Sequence, residues 1–383
     1  MATANSPTVP TRFSLRKKLL FVGVSVFFGG ALGLFALELI LRVWIGPISN
    51  EITNVHPVLH HFTGNNPNTN RFGFYDKDYP EIKPDGTIRV MVIGDSLVRR
   101  GAAGENFTDL LENQFREQSS DQTVEVWNCG VDSYSPALEY LLLRHKLIDL
   151  KPDFVVACFF MGNDFNDDAV YEAKMEFDDM GKPLRCSPDK KVSETQMVSG
   201  QLRIPFKNYL RTHSRLYREL SKAYNTVLHW TGIRQGEWGK AKIDVGRSAP
   251  IGTLTINVSD ALIQLVSRNF LFMKELLDEH NIPWLVVLIP LDAQVNREVD
   301  GKLESSAFRD EDVDVANKNE EELKAALEEN GISVLDLLPI LLEYKDQPVY
   351  ILGSHFSENG HRAVAETLFE RLSSRWSDSE THT

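Results

Sequence analysis

The chain has 383 residues, 42% hydrophobic and 25% charged, with a formal net charge of −13. That length supports one large domain or two modest ones, and the acidic balance argues against non-specific nucleic-acid binding. The three cysteines, Cys129, Cys158 and Cys186, show no CxxC or Cys/His metal spacing, and an odd count is no disulfide framework.

Residues 1–18 read as a polar, then basic, tail carrying Arg12, Arg16, Lys17 and Lys18. An apolar run follows, and residues 19–45 are long enough to cross a bilayer as a helix. A cleaved signal has a shorter apolar core and a small-residue cleavage site, so a retained anchor is the favoured reading. The basic residues before the span, against Arg42 alone soon after it, keep the N-terminus cytoplasmic and put the rest outside. Glu38 lies inside the apolar zone. It marks either an intramembrane contact or, in the plainer reading, a pair with Arg42 one helical turn on. Residues 46–86 read as a linker with a loop over the main domain, whose aromatic cluster Arg71-Phe72-Gly73-Phe74-Tyr75 packs down. His56, His60 and His61 invite a metal reading, but no carboxylate or thiol completes a ligand set.

From residue 87 to 376 the pattern is that of one α/β domain, followed by a tail at 377–383. Strands are predicted at 88–93, 124–127, 154–160, 284–289 and 332–335, and helices at 107–118, 137–150, 258–280, 320–330 and 362–376. Such alternation predicts a parallel, doubly wound sheet. Residues 165–257 break the rhythm and read as an insertion, a candidate lid or specificity region. Within it, residues 210–230 have helical spacing and carry Arg211, Arg215 and Arg218. That stripe is read as a solvated face, with polyanion or headgroup contact as the minority alternative. Residues 301–319 are highly charged and read as an exposed loop.

Small polar clusters close the strands. Gly94-Asp95-Ser96 follows the first, Asn128-Cys129-Gly130 the second, Gly162-Asn163-Asp164 the third, and His355 lies beyond the fifth. A serine hydroxyl needs a base, and histidine titrates near the working pH. The oxyanion formed on an attacked carbonyl needs fixed donors. The backbone N–H groups of Ser96 and Gly130 and the amide of Asn163 are candidates. Each residue also has a plain structural reading as a turn former or helix cap.

These four blocks, in this order, with Leu97 after Ser96 and His355-Phe356-Ser357-Glu358-Asn359-Gly360-His361 at the end, resemble the SGNH or GDSL hydrolases. The resemblance covers about residues 88–372 apart from the insertion. It implies a flavodoxin-like three-layer αβα sandwich with a parallel sheet, here preceded by one N-terminal transmembrane helix. It implies Ser96 as nucleophile, Ser96, Gly130 and Asn163 as oxyanion donors, and His355 as base, with no cofactor and no metal. The span ending in Leu-Glu-Leu-Ile-Leu-Arg resembles membrane-anchored members of the group.

One position departs from the family pattern. The family places an Asp two or three residues before the catalytic His, where this chain has Gly353 and Leu352. A Ser–His dyad with a backbone carbonyl orienting the ring, a substitute acid (Asp346 or Glu358), or an impaired site would each account for it. His361 is a second imidazole, read as structural because it opens the last helix. The leading functional expectation is an ester hydrolase working through an acyl-serine, with an acylated envelope glycan or lipid as the candidate substrate. The alternatives are acyl transfer to a polysaccharide and non-catalytic glycan binding.

Overall fold

A computed structural model describes residues 15–45, 54–63, 69–101, 104–118, 123–186, 214–217, 220, 254–295, 310–344, 347–351 and 355–377. Readings that fall on residues 1–14, on most of 187–253, on 301–309, on Asp346 and on 352–354 lie outside the described residues. The chain divides into two compact units: Met1–Asn50 with Gln201–Arg234, and Glu51–Gly200 with Gln235–Thr383.

In the first unit, Leu15–Ile45 is one helix. Its segment Phe21–Trp44 is long and apolar enough to cross a membrane, and none of it is buried within the protein. The Arg42 guanidinium Nε donates to Glu38 at 2.7 Å, as the spacing of four predicts.

In the second unit the central sheet has five parallel strands: β1 (Thr87–Ile93), β2 (Thr123–Asn128), β3 (Phe154–Phe160), β4 (Trp284–Ile289) and β5 (Val334–Asp336). Their order is 2-1-3-4-5. Because β2 and β3 flank β1 on opposite sides, the connections leaving β1 and β2 diverge. A crevice opens at the carboxyl ends of these strands, which is where open α/β sheets bind ligands.

Strand side chains alternate between two apolar cores. Met91, Ile93, Trp127, Ala157, Phe159 and Leu288 pack on one side, with helices Pro136–Leu142 and Asp260–Glu279. Val90, Val92, Val126, Val156, Phe160 and Ile289 pack on the other, with helices Phe107–Gln118 and Glu358–Ser377. Covering both faces is what demands continuous apolar strands such as β3. This is the three-layer αβα arrangement that the sequence implied.

Several elements depart from expectation. The helix predicted at 137–150 is α-helical only over Pro136–Leu142; it continues as a π turn, Leu143–Leu147, and a 3-10 turn, Ile148–Leu150. Residues 310–319, read as exposed loop, form the first half of helix Asp310–Glu329. Their charge conceals a stripe of Val313, Ala316, Glu320, Leu323 and Leu327, all buried at alternating spacings of three and four. Residues 165–186, read as the start of the insertion, supply helix Asp164–Glu172 and an antiparallel hairpin, Met175–Phe177 with Pro183–Cys186. Phe165, Ala169, Tyr171 and Cys186 are core residues. The stretch read as linker contributes another hairpin, Asn54–His56 with His60–Phe62, and buries Leu59, Phe62, Phe74 and Tyr79 in the same core.

Glu320 shows the cost of that polar stripe. It is 2% exposed, and burial first, then the Asp336 charge, pushes its carboxyl up to about 8. A group whose folded pKa exceeds its unfolded value stabilises fully below the unfolded value, near 4.5, and loses that contribution as pH rises through about 8. The limiting slope is about 1.4 kcal/mol per pH unit. Glu320→Gln is therefore expected to melt higher relative to wild type at pH ~8 than at pH ~5. Melting curves of the two proteins that stay parallel across that window would refute the assignment.

Candidate active site

The end of β1 places Ser96. Gly94 is required by close approach: a Cβ there would lie 2.5 Å from Val98 Cγ2. Asp95 then caps the short helix Ser96–Arg99, its Oδ1 accepting from the Leu97 N–H at 2.8 Å. Asp95, Leu97, Val98 and Arg99 are buried, whereas Ser96 itself is only half-buried. The turn therefore presents the hydroxyl at the surface of the crevice.

His355 arrives from the other end of the chain. It sits on a two-residue strand, His355–Phe356, antiparallel to Tyr350–Ile351. The buried Phe356 ring fixes that strand from the core side. Ser357 fixes the other end: its N–H donates to the Val349 carbonyl at 2.9 Å, and its Oγ accepts from the Gly360 N–H at 3.2 Å. The result is a 2.9 Å contact between Ser96 Oγ and His355 Nε2, across 259 positions of sequence.

Gly130 lies against the Ser96–Arg99 helix. The β1–β2 ladder continues past the strands, with Cys129 N–H donating to Val92 and Val131 N–H to Gly94. A Cβ on Gly130 would stand 2.5 Å from the Arg99 nitrogen, so the approach admits glycine alone. Asn163 follows β3, the other neighbour of β1, and its Nδ2 donates to Asp167 Oδ2 at 2.8 Å and to Asp164 Oδ1 at 3.3 Å. Two of the three candidate donors already have internal acceptors: the Asn163 amide, and the Gly130 N–H, which is held by Asn128 Oδ1 at 3.1 Å. A ligand oxygen there would share or displace those partners.

Buried carboxyls accompany the turn at Ser96. Burial, first, pushes Asp95 up to about 7, with the Asp132 charge adding to it, and burial pushes Glu139 and Asp164 well above the carboxylate range, with the Asp95 charge adding to both. In the protonated form these groups set no negative charge against an anion forming at the serine.

No family model matches the chain, and no curated protein does. Solved structures with a related chain path include an acetyl xylan esterase, AlAXEase, at 14% identity and TM-score 0.41, covering 74% of this chain and 100% of that one. A lipolytic protein of the G-D-S-L family from Desulfitobacterium hafniense matches at 14% identity and TM-score 0.36, over 74% and 99% of the two chains. The lipase/acylhydrolase from Enterococcus faecalis matches at 13% identity and TM-score 0.38, over 75% and 96%. At these identities and TM-scores the likeness carries no argument about this chain.

Of the two substitute acids considered for His355, Glu358 is turned away: it is 71% exposed and pairs with Arg362 at 3.0 Å. Asp346 lies outside the described residues. His361 is a structural group. Its Nδ1 accepts from the Phe107 N–H at 3.3 Å, where the helix Phe107–Gln118 begins, and its ring stacks on Phe107. Burial, and then the His355 charge, lowers its pKa to about 4.

The three N-terminal histidines have other work than metal binding. His56 Nδ1 accepts from the Val58 and Leu59 N–H groups. His61 Nε2 lies 2.8 Å from the Asp132 carbonyl, which only accepts, so that nitrogen carries the proton. His61 Nδ1 then accepts from His60 Nδ1 at 3.1 Å, and His60 Nε2 faces Lys174 Nζ at 3.3 Å. The chain of bonds pins the loop that follows Gly130. Among the described residues no group of three His, Cys, Asp or Glu is arranged to hold a metal.

Sequence reasoning assigned no role to two residues that shape the site. Asn128 bridges Gly130 and the Ser96 helix, its Nδ2 donating to the Val98 carbonyl at 2.8 Å. Asp167 holds the Asn163 amide. Asn two residues before Gly, and Asp four residues after Asn at a helix start, are the signals that carry these roles.

Proposed function

We propose that this protein is a membrane-anchored serine ester hydrolase, with Ser96 as nucleophile and His355 as its base. The observation that carries the proposal is the 2.9 Å approach of Ser96 Oγ to His355 Nε2. In the proposed reaction, Nε2 takes the hydroxyl proton as Oγ attacks the acyl carbon. The negative charge passes to the carbonyl oxygen, near the Ser96 and Gly130 N–H groups and the Asn163 amide. His355 then returns the proton to the departing alcohol, leaving an acyl-serine. Water, deprotonated by the same nitrogen, then adds to the acyl carbon; the bond to Oγ breaks, Nε2 returns the proton to Oγ, and the acid leaves. No metal or organic cofactor takes part.

The span Phe21–Trp44 is proposed as a retained anchor, with the basic N-terminal tail cytoplasmic and the hydrolase domain outside. An acylated envelope glycan or lipid is the substrate class proposed for that location. Pre-steady-state hydrolysis of a short-chain p-nitrophenyl ester tests the acyl-serine. A burst of phenolate equal to the enzyme concentration is expected from wild type and none from Ser96→Ala. Turnover in Ser96→Ala matching wild type would end the proposal. With a glycan acceptor present, free acid as the product assigns hydrolysis rather than transfer.

A further inference from the structure

Glu38 does more than pair with Arg42. Ser214 Oγ donates to Glu38 Oε2 at 2.9 Å, the Leu216 N–H to the same oxygen at 2.8 Å, and the Arg215 N–H to Oε1 at 2.8 Å. Ser214 Oγ in turn accepts from the Tyr217 N–H at 3.1 Å. Residues 215–217 begin a helical turn, so its first three N–H groups are all satisfied, two of them by a side chain of the anchor helix. The sequence places this turn far from the anchor, beyond the hydrolase domain's first three strands; the contact is tertiary.

Depth gives the contact its meaning. Phe21–Trp44 spans 24 residues. At 1.5 Å per residue that is about 35 Å, slightly more than a bilayer's hydrocarbon thickness of about 30 Å. Glu38 lies six residues before Trp44, about 9 Å along the axis. A carboxylate at that depth is costly unless donors surround it, and here four do. Whatever supplies those donors must reach the same depth. The neighbouring sequence suits such a place: Tyr209 and Tyr217 with Arg211, Arg215 and Arg218 combine aromatic rings and long cations, the composition of an interfacial segment.

We propose that residues 214–217, latched to Glu38, form a second membrane-contact element seated at the boundary of phospholipid headgroups and acyl chains at the Trp44 end of the span. This moves Arg215 from solvated face to lipid contact. It rests on Phe21–Trp44 being a membrane span, and the test separates the two claims. The three native cysteines are buried, so a bimane label can be directed to Tyr217→Cys in the full chain, reconstituted in phosphatidylcholine–phosphatidylglycerol vesicles. Phe27→Cys reports on the span and the exposed Lys318→Cys on the aqueous domain. Nitroxide-labelled lipid is expected to quench the Tyr217→Cys label several-fold more than aqueous iodide does, as for Phe27→Cys and opposite to Lys318→Cys. Adding Glu38→Ala is expected to reverse the preference at 217 while leaving Phe27→Cys lipid-quenched. Iodide-dominated quenching at 217 with Phe27→Cys still lipid-quenched would overturn the latch and leave the anchor standing. Iodide-dominated quenching at Phe27→Cys would overturn both.

Discussion

His355→Gln is expected to lower kcat on a short-chain ester by roughly 10⁶-fold, the scale seen when the base of a Ser–His pair is removed. Glutamine keeps a polar group near Ser96 Oγ but cannot take its proton. The size of the loss depends on whether another base stands by, and the nearby imidazole is unsuited. The His361 lone pair at Nδ1 is committed to the Phe107 N–H, its ring is buried against Phe107, and burial holds its pKa near 4. It serves as a helix cap, and protonating it would cost that cap. Steady-state kinetics on His355→Gln and His361→Asn separate the roles. The first variant is expected to lose turnover with its melting temperature kept. The second is expected to lose stability with less effect on turnover per folded molecule. Near-wild-type rates in His355→Gln would move the base elsewhere.

Arg89→Met is expected to destabilise the fold by roughly 3–5 kcal/mol, the cost of leaving one partner of a buried ion pair alone. Arg89 is 0% exposed although it sits in the middle of β1. Its Nε donates to Glu125 at 2.8 Å, Nη1 to the Leu150 carbonyl at 2.8 Å and Nη2 to the Pro80 carbonyl at 2.8 Å, while the guanidinium lies over the Trp127 ring. One side chain thus ties two strands to the chain before β1 and to the turn before β3. Methionine fills much of the volume but leaves the buried Glu125 carboxylate without its counter-charge, keeping only the Trp127 indole N–H at 3.1 Å, and takes the donor from the Leu150 and Pro80 carbonyls. The double variant Arg89→Met/Glu125→Met is expected to recover part of the loss, since no buried charge remains. Equal melting temperatures for wild type and the single variant would show that the network contributes nothing measurable.

Legibility in the sequence followed how one-sided each element is. β3 and β4 were readable to the residue, because strands buried on both faces are uninterrupted runs of apolar residues ending at Gly or Pro. Helix Phe107–Gln118 was readable because its apolar stripe faces one side only. Helix Asp310–Glu329 was half hidden because its buried stripe includes Asn319 and Glu320, which a hydropathy reading counts as surface. The meeting of Ser96 with His355 could be named from motifs, yet no local pattern encodes a contact over 259 positions; the fold alone brings them to 2.9 Å. The histidines at 56, 60 and 61 were recognisable as a cluster, but their partners, Asp132 and Lys174, are remote in sequence. The hydrogen bonds that occupy Gly130 and Asn163 leave only a faint trace, Asn two residues before Gly and Asp four residues after Asn, because they also depend on side-chain rotamers.

The central claim is that Ser96 is a nucleophile activated by His355. Labelling the folded, full-length protein with a fluorophosphonate and mapping the adduct by mass spectrometry tests it most directly. The account predicts one adduct per chain, on Ser96, absent in Ser96→Ala and strongly slowed in His355→Gln. An unlabelled wild type of proven fold, or an adduct that persists in Ser96→Ala, would contradict it.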